Sequence, residues 1–368
     1  MKIKIYGYDL AEAVNKVAKA VATKSINPVL EGIKIATDGD YAIFTATDLD
    51  VGIETRVKCE VAEQGETVVV GKAFVEYANK LTELDTVDID CDGKQFKVKC
   101  GKNKFALSAM DCSAFPKLAT DLDGNGFVIS TECLKQLVGA TAFACATDEA
   151  RPILKGCLFE LVGDTLNVCA VDGFRVALKT CEVEETDGAF KVVIPARSLA
   201  ELLRLLSDGT LVKIVFAKNM LTIKTDDTIF TARLLSGEFV NYKALLAMPN
   251  FATVNVEKDK LLSALDMVSI IAKSSNNVVR LVANNGTLTL TANSELGNAE
   301  ETIEVGLGEQ FVDLHFNYRY LVDCLKAIDD SIVNLCFGKD DRSPFFVCPD
   351  YENGDYKYLI LPVRVNRA

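Results

Sequence analysis

A chain of 368 residues, 49% hydrophobic and 25% charged, is long enough for two or three domains with real cores, which excludes a disordered protein. Its formal net charge of −12 and pI near 4.8 argue, at face value, against a nucleic-acid binder. No apolar run approaches the roughly 18 residues of a membrane span, and MKIKIYGYDL does not read as a signal peptide, so a reduced, cytoplasmic protein with no membrane partner is expected.

Met1 to Ile5 alternates as a strand does. Asp9 is placed to cap a helix whose Leu10, Ala13, Val14, Val17 and Val21 fall at helical spacing. Asn27-Pro28 stops it, and GIKIATD and YAIFTATD read as hairpin strands around Asp38-Gly39. A second helix is expected from near Lys72, with Phe74, Tyr77, Ala78 and Leu81 on one face. Strands VDIDCDG, QFKVKCG and KFALSAM follow. The middle of the chain repeats this order. FVIS precedes a helix capped at Thr131 with Leu134, Leu137 and Val138, and strands follow from Cys157, Leu166 and Arg175. A helix burying Leu199, Leu202, Leu203 and Leu206 is then closed by LVKIVFA, MLTIKTD and IFTARLL. The last part gives ATVNV and the helices LLSALDMVSIIAK and RYLVDCLKAI.

Leu10, Leu134 and Leu261 occupy equivalent places, separated by 124 and 127 residues, and Phe74, Leu199 and Leu321 do so at 125 and 122. The turn of AVDGFRVALKT at Asp172-Gly173 has weaker echoes at Asp48 and Asn293, 124 residues before and 121 after. Landmarks that share one period mark an internal repeat. The expected class is α+β: three repeated domains, 1–124, 125–248 and 249–368, each with two helices packed on antiparallel sheets.

Six helical segments (10–24, 72–81, 134–143, 197–206, 261–273 and 319–328) hold eleven basic and five acidic residues, a net of +6 that leaves −18 for the rest. A basic helical layer inside an acidic shell would attract a polyanion to one face through sequence-independent phosphate contacts. Cys133, Cys145, Cys157, Cys169 and Cys181 fall twelve apart, as do Cys324, Cys336 and Cys348. Without a Cys-x-x-Cys pair they read as small core residues in strands.

Several stretches then resemble one family: NPVLEGI from Asn27, TATDLDVGIE from Thr45, ARPILKGCLFE from Ala150 and VCAVDGFRVAL from Val168. VIPARSLAELL from Val193, FTARLLSGEFVNY from Phe230 and YLILPVR from Tyr358 complete the set. In this order and spacing the whole chain is similar to the bacterial DNA polymerase III beta subunits, the sliding clamps. The resemblance implies three DNA-clamp domains forming half of a closed ring, a head-to-tail homodimer around double-stranded DNA with helices lining the hole. It implies no catalysis and no cofactor. It places Lys24, Lys72, Arg151 and Arg197 towards DNA. Leu154, Val171, Gly173, Phe174, Arg175, Val176, Val240, Leu245, Leu359, Leu361 and Pro362 would form a groove with Arg175 at its rim. That groove would bind short motifs of the polymerase alpha subunit, the clamp loader, other polymerases and repair proteins. Phe105 and Leu107 of one protomer would meet Ile270 and Ile271 of the other. Val240, Ala244, Asn276 and the tail Asn366-Arg367-Ala368 depart from the family pattern, which bears on groove shape and motif preference.

Two other readings compete. DLDGNGFVISTE fits a calcium-loop pattern through Asp121, Asp123, Asn125, Gly126 and Glu132. Pro116 interrupts the helix such a loop needs, and the repeat requires Phe127 to Ser130 as a strand, so it reads as a linker with no metal. An enzyme would have one histidine, His315, at a helix entry, and neither a phosphate loop nor a dinucleotide fingerprint.

Overall fold

Period-two alternation governs most of this chain, and the fold spends it in four antiparallel sheets. The computed structural model describes residues 1–81, 86–120, 122–183, 185–249, 251–306, 311–350 and 354–365. Among them are seven α-helices: α1 (Gly7–Ala18), α2 (Gly71–Ala78), α3 (Thr131–Gly139), α4 (Ala196–Leu203), α5 (Tyr242–Leu246), α6 (Lys258–Ala272) and α7 (Tyr318–Lys326). Contacts group the chain into two units. One is Met1–Thr131, Glu184–Gly188 and Arg197–Leu234; the other is Glu132–Val183, Ala189–Ala196 and Leu235–Ala368.

The first unit holds a five-stranded sheet in the order Glu60–Glu63, Lys2–Tyr6, Thr86–Cys91, Gln95–Cys100, Asn103–Ser108. Strict alternation in Thr86–Cys91 and Gln95–Cys100 turns one face inward. Helix α1, burying Leu10, Val14 and Val17, packs against α2, against Lys2–Tyr6 of this sheet and, more extensively, against Val51–Lys58 and Tyr41–Thr47 of the unit's nine-stranded sheet; Phe74 of α2 meets Phe96 edge-to-face at 5.3 Å. Each fully buried Leu or Phe there contributes about 1.5–3 kcal/mol of transfer free energy. The nine-stranded sheet runs Glu185–Thr186, Asn125–Ser130, Leu211–Ala217, Met220–Lys224, Thr228–Arg233, Val51–Lys58, Tyr41–Thr47, Gly32–Asp38, Glu66–Val70.

The second unit holds an eight-stranded sheet in the order Lys191–Pro195, Gly156–Val162, Thr165–Val171, Arg175–Glu182, Tyr356–Ile360, Phe345–Pro349, Ile332–Phe337, Ala252–Glu257. Its four-stranded sheet runs Gly297–Glu304, Thr287–Ser294, Val278–Asn284, Val312–Asn317, and carries α6. A pair of left-handed residues, Asn276 (φ 55°) and Asn277 (φ 62°), closes α6, with the Asn277 N–H donating to the Ala272 carbonyl at 2.9 Å. Asparagine tolerates that conformation where an apolar side chain would strain it.

The two large sheets are each built from two parts of the repeat. Thr228–Arg233 pairs with Val51–Lys58, with Phe230 opposite Ile53, and Tyr356–Ile360 pairs with Arg175–Glu182, with Leu359 opposite Val176. In both seams the last strand of one three-strand meander joins the last strand of a meander from the preceding third. The corresponding strands left over are Asn103–Ser108 and Gly297–Glu304, each the end strand of its sheet.

Several expectations shift. Helix α1 ends at Ala18, so Val21 and Lys24 lie beyond it, and α2 ends at Ala78 before Leu81. Within true bounds the six longer helices carry Lys16, Lys72, Lys135, Arg197, Lys258, Lys260, Arg319 and Lys326. Against these stand Asp9, Glu12, Glu76, Glu132, Glu201, Asp259, Asp266 and Asp323. The net is zero, not +6. Lys19, Lys24, Lys80, Arg204 and Lys273 follow helix ends, and Asp9, Glu132 and Asp259 sit in the first turns of α1, α3 and α6, the arrangement the helix dipole favours. Not every cysteine of the twelve-residue series is on a strand: Cys133 and Cys324 are helical, and Cys145 ends a short 3-10 turn. His315 belongs to the strand Val312–Asn317, opposite Arg280, rather than to a helix entry. Phe127 to Ser130 is a strand, paired with Leu211–Ala217.

Candidate functional site

The seam of the second unit is set by a tight turn. Both Phe174 N–H (2.9 Å) and Arg175 N–H (3.0 Å) donate to Asp172 Oδ1, and Gly173 between them has φ 94°, a conformation that favours glycine. The turn sends neighbouring side chains to opposite sides. Phe174 is 58% exposed and stacks on Tyr320 of α7, with centroids 6.2 Å apart. Arg175 is 9% exposed.

Expected at a rim, the Arg175 guanidinium is instead turned inward and occupied on every side. Nε donates to Asp172 Oδ2 (2.9 Å), Nη1 to Asp323 Oδ2 (2.6 Å) and Nη2 to the Phe143 carbonyl (2.7 Å). The group also lies over the rings of Tyr320 (4.6 Å) and Phe143 (5.3 Å). Burial alone would lower its pKa, but the hydrogen bonds and charges of Asp323 and Asp172 more than reverse this and raise it. Arg175 therefore ties the turn to α7 and orients the apolar residues around it.

Leu154, Val171, Val176 and Leu359 belong to one hydrophobic cluster and are each at most 4% exposed. Val240, just before α5, and Leu245, within it, pack against the cluster while remaining partly exposed. Leu361 is 39% exposed, and its N–H donates to the Phe174 carbonyl at 2.9 Å, so the chain end runs beside the turn with Pro362 half-buried. The arrangement is a buried aliphatic floor edged by Phe174 and Leu361, which suits the apolar anchors of an extended peptide. Sequence reasoning missed Phe143, Tyr320 and Asp323, which hold Arg175, and Phe239, Tyr242, Leu246 and Phe346 in the floor. Asp172 of the acid-glycine turn was the one readable signal, because such a turn needs its carboxylate for backbone N–H groups.

The remaining candidates are scattered along the chain. Lys24 is exposed in the loop after α1, Lys72 is exposed in the first turn of α2, and Arg151 is exposed ahead of a 3-10 turn, Pro152–Lys155. Arg197 is exposed in α4 and ion-paired with Asp48 at 2.9 Å. Phe105 and Leu107 are half-buried on the end strand Asn103–Ser108, where Phe105 stacks on Tyr77 of α2 at 4.3 Å. Ile270 of α6 is 63% exposed, with Ile271 half-buried beside it. Of the calcium-loop candidates, Asp121 lies outside the described residues, as does the tail 366–368, while Asn125 and Glu132 fall in a strand and in α3. Among the described residues no group of three or more His, Cys, Asp or Glu could hold a metal ion. No helix among them is long and apolar enough to cross a membrane.

Comparison with known proteins is consistent along the entire chain. The DNA polymerase III beta subunit family matches as its N-terminal domain over residues 1–119, its central domain over 128–241 and its C-terminal domain over 245–364. The beta sliding clamp of Bacillus subtilis is 32% identical over 381 residues, covering 99% of this chain and 100% of the relative. The crystal structure of the Bacillus subtilis DNA polymerase sliding clamp superposes with TM-score 0.94 at 29% identity, over 99% of both chains. That of the Pseudomonas aeruginosa DNA polymerase III beta subunit, bound to griselimycin, does so at 0.91 and 28%, over 99% of this chain and 100% of that one. The chain belongs to the DNA polymerase III beta subunit family, the non-catalytic sliding clamps of DNA replication, with three α+β clamp domains.

Proposed function

We propose that the protein encircles duplex DNA as a head-to-tail ring dimer and tethers the replicative polymerase and other DNA-processing proteins through the apolar site beside Phe174. Its domains divide near 1–124, 125–248 and 249–368, and it works in the cytoplasm. The carrying observation is the pair of end strands, Asn103–Ser108 and Gly297–Glu304. Each corresponds to a strand that elsewhere in the repeat completes an antiparallel seam. Pairing the first of one protomer with the second of another applies the same rule between chains and, applied twice, closes a ring. Exposed Lys104 on one strand and exposed Glu300 and Glu304 on the other are complementary in charge, and half-buried Phe105, Leu107 and Ile303 supply apolar contact.

Topological binding suits an acidic chain, because a ring is retained without a tight grip. Exposed Lys24, Lys72, Arg151 and Arg197 then need only screened contacts to phosphates. The polymerase alpha subunit, clamp loader and repair proteins would dock short apolar motifs on the floor of Leu154, Val171, Val176 and Leu359. An affinity near micromolar, roughly −8 kcal/mol, permits exchange.

Sedimentation equilibrium tests the assembly: about twice the 40.0 kDa chain mass supports it, and a monomer at all concentrations removes it. Griselimycin, bound in the crystal structure of the Pseudomonas aeruginosa relative, supplies a test ligand expected to occupy the apolar site of this chain. Phe174→Ala with Leu361→Asp, both at exposed positions, should weaken its binding about tenfold or more while leaving the native mass unchanged.

A further inference from the structure

The segment that follows Leu361 runs on to a second concave surface of the same unit. Its Val363 N–H donates to the His315 carbonyl at 2.7 Å, which holds it beside the strand Val312–Asn317. There a cavity of about 890 Å³ is lined by Arg280, Asp313, His315, Asp341, Arg342 and Arg364. Arg280 stands opposite His315 in the four-stranded sheet, with Asp313 two residues along, so all three share the face away from the buried Leu281 and Leu314. Arg280 and Asp313 form a two-pronged pair, Nε donating to Oδ1 and Nη2 to Oδ2, both at 2.8 Å. That pair occupies the Asp313 carboxylate and leaves Arg280 Nη1 as a donor. Arg342 is presented by a turn in which Asp340 Oδ1 accepts from the N–H groups of Arg342 (3.0 Å) and Ser343 (2.8 Å). Arg342 and Arg364 are exposed, and neither guanidinium has a hydrogen bond or ion pair among the described residues.

We propose that this arginine-lined pocket receives the carboxylates of an acidic segment adjoining the apolar motif that docks beside Phe174, so that the polypeptides this chain binds carry apolar anchors with an acidic flank. The inference rests on the docking role proposed above and names a feature of its partners. Continuity favours it: Leu361 N–H donates to the Phe174 carbonyl and Val363 N–H to the His315 carbonyl, so one short segment borders both sites. The three residues from Leu361 to Arg364 span about 10 Å when extended, a gap that a bound peptide crosses with equally few residues between anchor and acid. Charge favours it as well. Three arginines stand against two aspartates in the lining, a local net of +1 with His315 neutral, on a chain of −12. A carboxylate repelled by most of the surface is therefore attracted here. The planar forks of Arg342 and Arg364 match a carboxylate, and Val363 and Val365 in the same wall meet the methylenes of glutamate stems. A nucleic-acid backbone fits less well, because Asp313 and Asp341 stand where its closely spaced phosphates would lie.

Two synthetic peptides test this on the full-length protein. Both place a leucine-phenylalanine anchor pair between two flanks, which are all glutamate in one peptide and all glutamine in the other. Their dissociation constants are read from displacement of labelled griselimycin. The glutamate peptide should bind about tenfold more tightly at about 0.05 M salt, and the gain should shrink below about threefold at about 0.5 M, because exposed charges are screened. Arg342→Glu with Arg364→Glu, both at exposed positions, should reverse the order of the two peptides while griselimycin binds as it does to the parent. Equal affinity of the two peptides, including failure of both to displace bound griselimycin, overturns the proposal and leaves the apolar site intact. If griselimycin itself does not bind, the docking role fails and this proposal falls with it. A glutamate gain that persists in the charge-reversed variant discards the pocket. Equal peptide affinities with weaker retention of that variant on duplex DNA would assign the pocket to phosphates instead.

Discussion

Arg175 shows how one residue can organise a site without being its contact surface. Its guanidinium joins the Asp172 turn, the Phe143 carbonyl and Asp323 of α7. Arg175→Ala should lower unfolding stability in urea by about 3 kcal/mol, the low end for breaking a buried ion pair, because Asp323 is 42% exposed. Arg175→Lys should recover only part of that loss, since an ammonium cannot supply the planar fork. An unchanged midpoint in Arg175→Ala would sink the anchoring role. In the first unit, Asp227 meets Lys16 at 2.7 Å and accepts from the Thr225 and Thr228 hydroxyls. Burial would raise its carboxyl, but Lys16 and those hydroxyls lower it below 3.8 overall. A depressed carboxylate stabilises the fold above its unfolded pKa and loses that contribution as pH falls through the folded value. Asp227→Asn should therefore flatten the acid limb of stability, as read by denaturant midpoints across pH, at a cost of at most about 0.5 kcal/mol at neutral pH, because the side chain is 49% exposed and solvent screens the pair. At this scale the sequence revealed Asp172 and Phe174, which are local. It did not reveal Asp323 or Phe143, which reach Arg175 only through tertiary packing, nor that Arg175 points inward.

At the scale of elements, strands and their order were readable because alternation with a period of two and turn residues are local signals. Helix ends were less so. Carrying α1, α2, α4 and α6 past their ends to Lys24, Leu81, Leu206 and Lys273, and starting α1 and α3 after Asp9 and Glu132, turned a neutral set of helices into an apparently basic layer, because lysines and arginines gather just past helix C-termini. The short helix α5 was not foreseen; the Asn241 side chain caps it by accepting from Ala244 N–H at 3.3 Å. Sheet edges carry the prediction here. If Asn103–Ser108 meets a partner beside Ile270 of α6, Ile270→Asp should raise the dimer dissociation constant about tenfold to a hundredfold, the burial value of one large aliphatic side chain. Ile270 is 63% exposed, so the fold of the monomer should be untouched. A dimer as tight as the parent by sedimentation would discard this interface.

For the whole molecule, the net charge of −12 matters more than any single lysine. A chain so acidic gains little from gripping DNA, so retention should depend on the topology of the substrate. Loaded onto a nicked circular plasmid, the protein should stay bound through gel filtration at salt concentrations that abolish ordinary phosphate contacts, and should be lost once the plasmid is linearised with free ends. Equal retention on both forms would rule out encirclement. The same measurement separates a clamp from a scaffold that never engages DNA, which would be absent from both.

The sequence alone determined the repeat, the α+β class and the family, because period, turn chemistry and ordered stretches such as AVDGFRVAL are properties of neighbours along the chain. Only the tertiary structure decided that strands of successive thirds merge into shared sheets and that Arg175 is a buried tie. Each of these joins residues whose partners are chosen by long-range strand pairing, and no local periodicity encodes which edge a strand will meet.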